Sequence, residues 1–272
     1  MPSARRLLQY VALGALLVVT LFPLLFMTRV AFSAPSDYFT AEPNWFAPIY
    51  TPSMESVITG GFSGLLLNSA LLSFGTTGIV VVVAGVAAHA LARQRSLRLR
   101  RQVMFFALTT RMGPAVVFAI PFFVMYSEIG AIDSFLGMFA VYIFYNLAFA
   151  LWLLHGFFVD VPTDIEEAGL VDGLTNFGAF WRIAVPNAMP GIIATAVLVF
   201  IMTWNEFFYA LILTQRRAAT FPTGIPAFFG AFEVEWGQMF SASLLGVIPP
   251  VIFGLLLRRF LIRGMSLGTA GE

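Results

Sequence analysis

Six long apolar runs are the feature that most constrains how this 272-residue chain can fold. They cover roughly residues 7–28, 65–92, 103–127, 134–158, 188–213 and 240–262. A hydrocarbon core about 30 Å thick needs roughly 20 apolar residues in a helix, so each run is long enough to cross a bilayer. The mean hydropathy of +0.88 and the charged fraction of 11% agree with this interpretation. We therefore predict an all-α polytopic membrane protein, with residues 1–272 forming a single transmembrane domain of six helices.

The first apolar run could also be mistaken for a signal peptide. It follows Arg5 and Arg6 and ends close to the small-residue stretch AFSA at 31–34. However, the apolar core of a signal peptide spans about 7–15 residues, which is shorter than the run at 7–28. We expect this segment to stay in the protein as a membrane anchor.

The distribution of arginine predicts the orientation in the membrane, and all 15 basic residues are arginine. If the N-terminus lies inside, 11 arginines fall on the inner side, including the five of the loop 93–101, whereas three fall outside. Cytoplasmic loops carry such an excess of positive charge. The sequence thus predicts that both termini, and the loop 163–186, lie in the cytoplasm.

Composition excludes several classes of site. The chain has no cysteine and only two histidines, so thiolate and multi-histidine metal sites are excluded and no metal is expected. His89 and His155 lie near the inner ends of spans, where an interfacial position is expected rather than a catalytic one. A net charge of +1 gives no indication of nucleic-acid binding. The phosphate-binding pattern GxxxxGK[ST] is absent, so ATP chemistry would need another chain.

The polar loop EEAGLVDGLTNFGAFWRIAVP at 166–186 is unusual in so apolar a chain. Thr163 and Glu166 match a capping box directly after Pro162, which predicts a helix over 164–172. Gly173 fits the position after its last turn, because glycine adopts the left-handed conformation at little cost.

A second short helix is predicted after this turn. Thr175 can cap it, and it should run through Arg182. Pro186 and Pro190 are then expected to mark the return of the chain into the membrane. The predicted product is a helix–glycine–helix elbow on the cytoplasmic side.

The predicted elbow also carries large apolar side chains, which are unfavourable when exposed to water. They are Ile165, Leu170, Phe177, Phe180 and Trp181. Two interpretations stay open for them, packing on the inner ends of the protein's own helices and docking of a soluble partner.

The spacing within the elbow resembles the EAA loop of permease subunits of bacterial ABC importers. The matching residues are Glu167-Ala168-Gly169, then LVD, Gly173, nine further residues, and Ile183-Ala184-Val185-Pro186. Gly169 and Val185 depart from the alanine and leucine of the family pattern. The stretches LLLNSALLSFGTT (65–77), TRMGPAVVFAIPFF (110–123) and MTWNEFFYAL (202–211) are similar to the smaller, maltose-type permease of the carbohydrate branch.

The resemblance implies a type I importer permease fold in the bacterial cytoplasmic (inner) membrane, in which the elbow is a coupling helix. The residues that it implies for contact with the ATPase are Glu166, Glu167, Ala168, Gly169, Asp172, Gly173, Phe177, Phe180, Trp181, Arg182, Ile183 and Pro186. It also implies the partners: two ATPase subunits that hold ATP and Mg, a second homologous permease subunit, an extracytoplasmic solute-binding protein and membrane lipid. The chain itself would bind no cofactor and would be non-catalytic.

A few polar residues lie within the predicted spans. Glu206 follows Pro190 by sixteen residues, which places it about 24 Å into the fifth span at 1.5 Å per residue. With Trp204, Asn205 and Asn68 it is a candidate for the solute path, because amide and carboxylate groups bind hydroxyls and indole stacks on sugar rings. The alternative is a structural hydrogen bond to another helix or to the partner permease, since an intramembrane acid must avoid hydrocarbon.

Other residues in the spans have two interpretations or an expected effect on helix shape. Arg111, beside Gly113 and Pro114, could satisfy carbonyls at a proline break or line the path. Pro121, Pro249 and Pro250 are expected to kink the third and sixth spans.

These observations favour a permease subunit of an ATP-driven, binding-protein-dependent importer for a sugar or related polyhydroxylated solute. An ion-coupled secondary transporter is the alternative, and it should show several membrane acids and inverted repeats. An intramembrane hydrolase would need a nucleophile paired with a base inside the spans. The sequence offers one clear membrane acid and no such pair.

Overall fold

The computed structural model describes residues 4–40, 45, 48–230 and 233–267, and their regular structure is helical apart from an isolated β-bridge between Phe229 and Val234. The α-helices are α1 (Ala4–Ala31), α2 (Pro52–Val57), α3 (Ser63–Ala92), α4 (Leu97–Met112), α5 (Ala115–Glu128), α6 (Phe135–Val159), α7 (Thr163–Val171), α8 (Asn176–Ala179), α9 (Val185–Trp204), α10 (Phe208–Leu213), α11 (Phe221–Gly224) and α12 (Trp236–Leu267). Two π-helical turns, Ile58–Phe62 and Phe180–Ala184, precede α3 and α9.

Five helical segments of the described chain are long and apolar enough to cross a membrane, and α4 with α5 would make a sixth. The prediction of an all-α protein with about six spans is therefore confirmed. The chain folds into two compact units, one formed by residues 1–64 and 224–248 and the other by residues 65–223 and 249–272.

In the first unit, Arg29 organises the segment that follows α1. Its guanidinium donates to the backbone oxygens of Asp37 (2.7 Å) and Tyr38 (3.0 Å) and lies 5.5 Å from the ring centre of Trp45. Most of α1 before this point is exposed within the chain. An apolar helix with this exposure is suited to contact with lipid or another subunit.

The second unit has a core where α3, α6 and α9 meet. Small residues let these helices approach closely, with Ala84 and Ala88 of α3, Ala150 of α6 and Ala188 of α9 all buried. Phe158 closes this core near the end of α6. The elbow that follows α6 therefore begins from a tightly packed helix end.

The third span differs from the sequence prediction of one helix over 103–127. The chain breaks at Gly113–Pro114, and α4 and α5 are bent by 83° to each other. Pro114 has no N–H to donate and disfavours helical backbone at the residue before it, and Gly113 is extended (φ −67°, ψ 133°). The predicted third span therefore consists of two helices that meet at the proline break, and Pro121 lies inside α5.

The fifth span also differs from the prediction of one helix over 188–213. It ends at Trp204, and α10 starts only at Phe208. At the other end the elbow is continuous with the span, because the π-helical turn leads directly into α9. Pro186 sits in the first turn of α9, where no N–H donor is needed, and Pro190 lies within it. The predicted stop near Arg182 is thus wrong.

The predicted capping box at Thr163 and Glu166 is wrong as well. Thr163 is the first residue of α7, Pro162 occupies the cap position, and the cap has no side-chain hydrogen bond. Glu166 turns instead towards α3, where it meets two basic side chains. A capping box needs a backbone N–H at the cap residue, and Pro162 has none to donate.

Candidate functional site

The turn of the elbow is built as the sequence predicts. Gly173 adopts φ +91°, a conformation that costs an L-residue with a side chain roughly 1–2 kcal/mol. Its N–H donates to the oxygen of Leu170 (3.1 Å), and the N–H of Leu174 donates to the oxygen of Gly169 (3.0 Å). The hydroxyl of Thr175 then accepts from the N–H of Gly178 (3.1 Å) and caps α8. Local chemistry therefore fixes the reversal between α7 and α8.

Gly169 lets the two arms of the elbow come together. A Cβ built at this position would lie 2.4 Å from Cδ1 of Ile183 and 3.2 Å from Cδ1 of Leu174. Alanine, which the family pattern has here, would require Ile183 to move its flexible end. The departure from the pattern at Gly169 is thus linked to how closely α7 packs on the π-helical turn.

Glu166 fastens the elbow to the C-terminal end of α3 and is itself 8% exposed. Its Oε1 accepts from Nη2 of Arg93 (2.5 Å), and its Oε2 lies 2.8 Å from Nε2 of His89. The same arginine also donates to the backbone oxygens of Phe158 (3.3 Å) and Val161 (2.9 Å) at the end of α6. We call Glu166, His89 and Arg93 the elbow clamp.

The clamp keeps Glu166 ionised. Burial alone would raise the pKa of this carboxyl, but hydrogen bonds and positive charge from Arg93 and His89 bring it below its ordinary value. Two partners reach it from α3 and a third contact ties Arg93 to α6. The elbow is thereby attached to α3 and, through Arg93, to the end of α6, in addition to its chain connections to α6 and α9.

Aromatic packing supports the same attachment. Phe180 is 6% exposed, and its ring lies 4.9 Å from that of His89 and 6.0 Å from that of Phe158. Of the two interpretations left open for the apolar elbow residues, packing on the protein's own helices therefore applies to Phe180.

The opposite side of the elbow is uncovered within this chain. Phe177 is 67% exposed and Trp181 is 45% exposed, and their rings contact each other edge to face at 6.1 Å. Val171 at the tip is 88% exposed. Exposed apolar groups of this size mark an interaction surface. We call Ile165, Leu170, Val171, Phe177 and Trp181 the apolar face of the elbow.

The remaining predicted elbow residues divide in the same way. Glu167, Ala168, Asp172, Arg182 and Pro186 are exposed, whereas Gly169 is buried and Ile183 is partly buried. The side chain of Glu167 makes no hydrogen bond or ion pair with the described part of the chain, in contrast to that of its neighbour Glu166.

Glu206 lies in the interruption between α9 and α10 and not within a helix. Its carboxylate accepts from the N–H groups of Tyr209 (2.8 Å) and Ala210 (3.2 Å) and from the hydroxyl of Tyr142 (3.1 Å). These bonds satisfy the free donors at the start of α10 and link it to α6. The acid that sequence analysis placed in the fifth span thus has a structural function in this chain.

The other three residues predicted for the solute path have different surroundings. Trp204 is 1% exposed and lies 5.2 Å from the ring of Phe221. Asn68 donates to the backbone oxygens of Arg217 (3.0 Å) and Ala219 (2.8 Å). Asn205 is exposed. Trp204, Asn205 and Glu206 are therefore neighbours only because they are consecutive in the sequence. The side chain of Arg111 lies outside the described residues.

Asp133 is a polar anchor that sequence analysis missed. It adopts φ +58°, and its carboxylate accepts from four successive backbone N–H groups, those of residues 215–218, at 2.9–3.1 Å. Burial alone would raise the pKa of Asp133, but these four donors lower it to about 2. An aspartate directly before the helix-capping Ser134 was the available signal. Its distant partners were not visible in the sequence.

Comparison with known proteins places this architecture in a family. The model of the family "Binding-protein-dependent transport system inner membrane component" matches residues 80–267. The trehalose transport system permease protein SugB of Mycobacterium tuberculosis is 36% identical, over 76% of this chain and 77% of its own length. The trehalose/maltose transport system permease protein MalG of Thermococcus litoralis is 28% identical, over 97% and 96%.

A solved structure has the same fold along almost the whole chain. It is a bacterial ABC transporter involved in the import of the acidic polysaccharide alginate, with a TM-score of 0.78 at 19% identity, over 96% of this chain and 98% of that one. The EAA-like spacing, the helical architecture and the matched family model agree. The chain belongs to the family of inner-membrane components of binding-protein-dependent transport systems.

Proposed function

We propose that this chain is the permease subunit of an ATP-driven importer for a sugar or related polyhydroxylated solute, and that its elbow transmits the motion of an ATPase to the spans. The observation that carries the proposal is the two-sided elbow. Its inner side is fastened to α3 and α6 by the elbow clamp, while its apolar face is free in this chain. A lever needs both a rigid attachment and a docking surface.

The substrate class rests on relatives. The similar permeases named above serve trehalose and maltose, and another, of Agrobacterium fabrum, is a sulfoquinovosyl glycerol permease protein, 26% identical over 96% of this chain. All these solutes carry several hydroxyl groups. Of the four residues predicted for the solute path, Asn205 is the exposed one, so it is the first candidate for contact with such a solute.

The proposed partners follow from the same function. Two ATPase subunits would hold ATP and Mg, a second permease would complete the pore, and a solute-binding protein would deliver the cargo from outside. The chain itself would perform no catalysis and hold no cofactor. A solved alginate transporter in complex with a pentasaccharide-bound periplasmic protein has the same fold at 17% identity with a TM-score of 0.67, which supports this type of assembly.

The proposed orientation has both termini and the elbow in the cytoplasm. The excess of arginine on that side supports it, and the clamp residue Arg93 begins the arginine-rich loop 93–101. The test is labelling by a membrane-impermeant maleimide in sealed vesicles of known sidedness. Since the chain has no cysteine, a single Phe177→Cys substitution gives an unambiguous reporter. Labelling from the periplasmic side would refute the orientation.

Cross-linking tests the docking of the ATPase. Phe177→Cys and Val171→Cys should each form a cross-link to a co-expressed ATPase subunit that carries a single cysteine in its docking groove. Ile49→Cys is the matched control, because Ile49 is similarly exposed (77%) but lies before α2, far along the chain from the elbow. Equal cross-linking of all three variants, or of none, would contradict the proposed coupling surface.

Charge reversal tests the transmission itself. Glu167→Lys leaves the described packing intact, because Glu167 is exposed and has no partner in the described residues. We expect the protein to fold normally while solute no longer stimulates ATP hydrolysis. Unchanged transport and stimulation would show that Glu167 has no part in coupling.

A further inference from the structure

The first three turns of α4 form a groove whose two ends differ in chemistry. The groove has a volume of about 680 Å³ and is lined by Leu97, Arg98, Arg101, Gln102, Phe105 and Phe106. It belongs neither to the elbow nor to the interruption around Glu206. We call it the α4 groove.

The polar and apolar parts of the α4 groove follow one another along the helix. Arg98, Arg101, Gln102 and Phe105 are spaced i, i+3, i+4 and i+7, so they share one helical face. The two arginines and the glutamine supply hydrogen-bond donors at one end. Phe105 and Phe106, each about two-thirds exposed (66% and 67%), form the other end.

The positive charge of the groove is not neutralised by the described part of the chain. The sequence has no aspartate or glutamate between Glu55 and Glu128, and neither Arg98 nor Arg101 has an ion-pair partner among the described residues. By contrast, Arg93 in the same basic segment is held by Glu166. An anion is therefore the complementary ligand, and a ligand with apolar chains would also cover the two phenylalanines.

We propose that the α4 groove binds an anionic phospholipid of the inner leaflet. Guanidinium groups bind phosphate oxygens through paired N–H donors, and clusters of basic residues next to a membrane-spanning segment attract anionic lipid. The phosphate would lie at Arg98 and Arg101 and an acyl chain along Phe105 and Phe106. The choice of leaflet rests on the orientation proposed above.

The bend at Gly113–Pro114 favours this use of α4. At this bend α4 turns by 83° from the direction of α5, so the face that carries the two arginines does not continue along the line of α5. Its exposed phenylalanines lie one to two turns from the arginines, as the chains of a lipid follow its headgroup. The lipid would thereby occupy a surface of α4, which packs on α6, the helix that leads into the elbow.

Lipid binding to the purified full-length chain tests the proposal without ATPase or solute, so its failure is distinguishable from failure of the transport function. The probe is phosphatidylglycerol, titrated in detergent and counted by native mass spectrometry, with phosphatidylcholine as the zwitterionic comparison. Each juxtamembrane arginine contributes about 1 kcal/mol, which corresponds to roughly fivefold in affinity. We expect Arg98→Gln and Arg101→Gln each to weaken phosphatidylglycerol binding about fivefold.

The matched control is Arg95→Gln. It removes the same charge from an exposed residue of the same basic segment that does not line the groove. If this variant weakens binding as much as the groove variants, the attraction is diffuse and the proposed site is wrong. Arg98→Lys combined with Arg101→Lys keeps the charge and should recover most of the binding. Unchanged melting temperatures verify that all variants fold.

A soluble competitor distinguishes a lipid from a free phosphate compound. Glycerol phosphate has the headgroup chemistry without the acyl chains. We expect it to displace phosphatidylglycerol only at far higher concentration, and Phe105→Ala to weaken lipid binding while leaving glycerol phosphate binding unchanged. Displacement by glycerol phosphate at equal concentration would overturn the lipid assignment.

Discussion

Removing the carboxylate of the elbow clamp should loosen the elbow from the membrane helices. In Glu166→Gln the side chain keeps its shape but loses the charge that holds Arg93 and His89. Charge-assisted hydrogen bonds each contribute about 1.5–3 kcal/mol, and Glu166 takes part in two. The side chains of Arg93 and His89 are partly exposed, so solvent screening reduces the effect. We expect the free energy of opening α7 to fall by about 2 kcal/mol.

Hydrogen–deuterium exchange measures this loosening directly. A loss of 2 kcal/mol corresponds to about 30-fold faster exchange of the amides of α7, if they exchange by local opening. The exchange of amides in the middle of α9 should be unaffected, because these amides meet solvent only when the packed core opens. The same variant should show ATP hydrolysis that responds less to solute, since a loose elbow transmits less motion.

Glu167→Gln is the matched control for this experiment. It makes the same chemical change one residue along α7, at an exposed side chain without a partner in the described residues. If both variants exchange alike, or if Glu166→Gln leaves the exchange of α7 unchanged, the clamp does not hold the elbow and the reasoning is refuted.

The pH dependence of the clamp has a defined sign. The pKa of Glu166 is lowered in the folded protein, so ionisation stabilises the attachment above the ordinary carboxyl pKa. This contribution is lost as the pH falls through the lowered pKa. The difference in exchange between wild type and Glu166→Gln should therefore disappear in acid and be complete at neutral pH.

Three further perturbations test the rest of the described structure. Gly173→Ala should lower the free energy of unfolding by about 1 kcal/mol, because Gly173 has φ +91° and free space around it. Gly173→Asn should lower it less, since asparagine tolerates this conformation. Thermal unfolding of the two variants makes the comparison. Asp133→Asn should destabilise the loop 215–218, which faster exchange of the loop amides would show. The wild type should lose this advantage over the variant between about pH 4 and pH 2, because Asp133 is protonated in that range. Glu206→Ala should leave the amides at the start of α10 without an acceptor and speed their exchange. Glu206→Gln can still accept hydrogen bonds and should preserve most of their protection. Equal exchange in the two variants would contradict the capping function.

Much of the local structure of the elbow was predictable. Gly173 takes the left-handed conformation and Thr175 caps α8 as expected, because both depend on backbone chemistry within a few residues. The capping box at Thr163 was predicted from the same kind of local pattern, and this prediction was wrong. A carboxylate that can reach a backbone amide can also reach a cation from another helix, and local sequence does not show which of them is nearby.

The positions of breaks within spans were less predictable than the spans. Hydropathy shows that residues 103–127 and 188–213 are apolar, but it does not indicate a local bend or interruption of the helix. The break at Gly113–Pro114 has a local cause, since proline lacks the N–H donor. The interruption after Trp204 has a cause elsewhere, because Tyr142 of α6 contributes to holding the Glu206 carboxylate at the start of α10.

The sequence by itself determined that the chain crosses a membrane, where it crosses and that a glycine-hinged elbow lies between two spans, because burial in lipid and backbone conformation depend on residue type and local order. Only the tertiary structure decided which carboxylates are partnered. Glu166 meets Arg93 across 73 residues of chain, and Asp133 meets amides 82 to 85 residues away. A charged group removed from water takes the best donors within reach, and packing of the helices decides which donors those are.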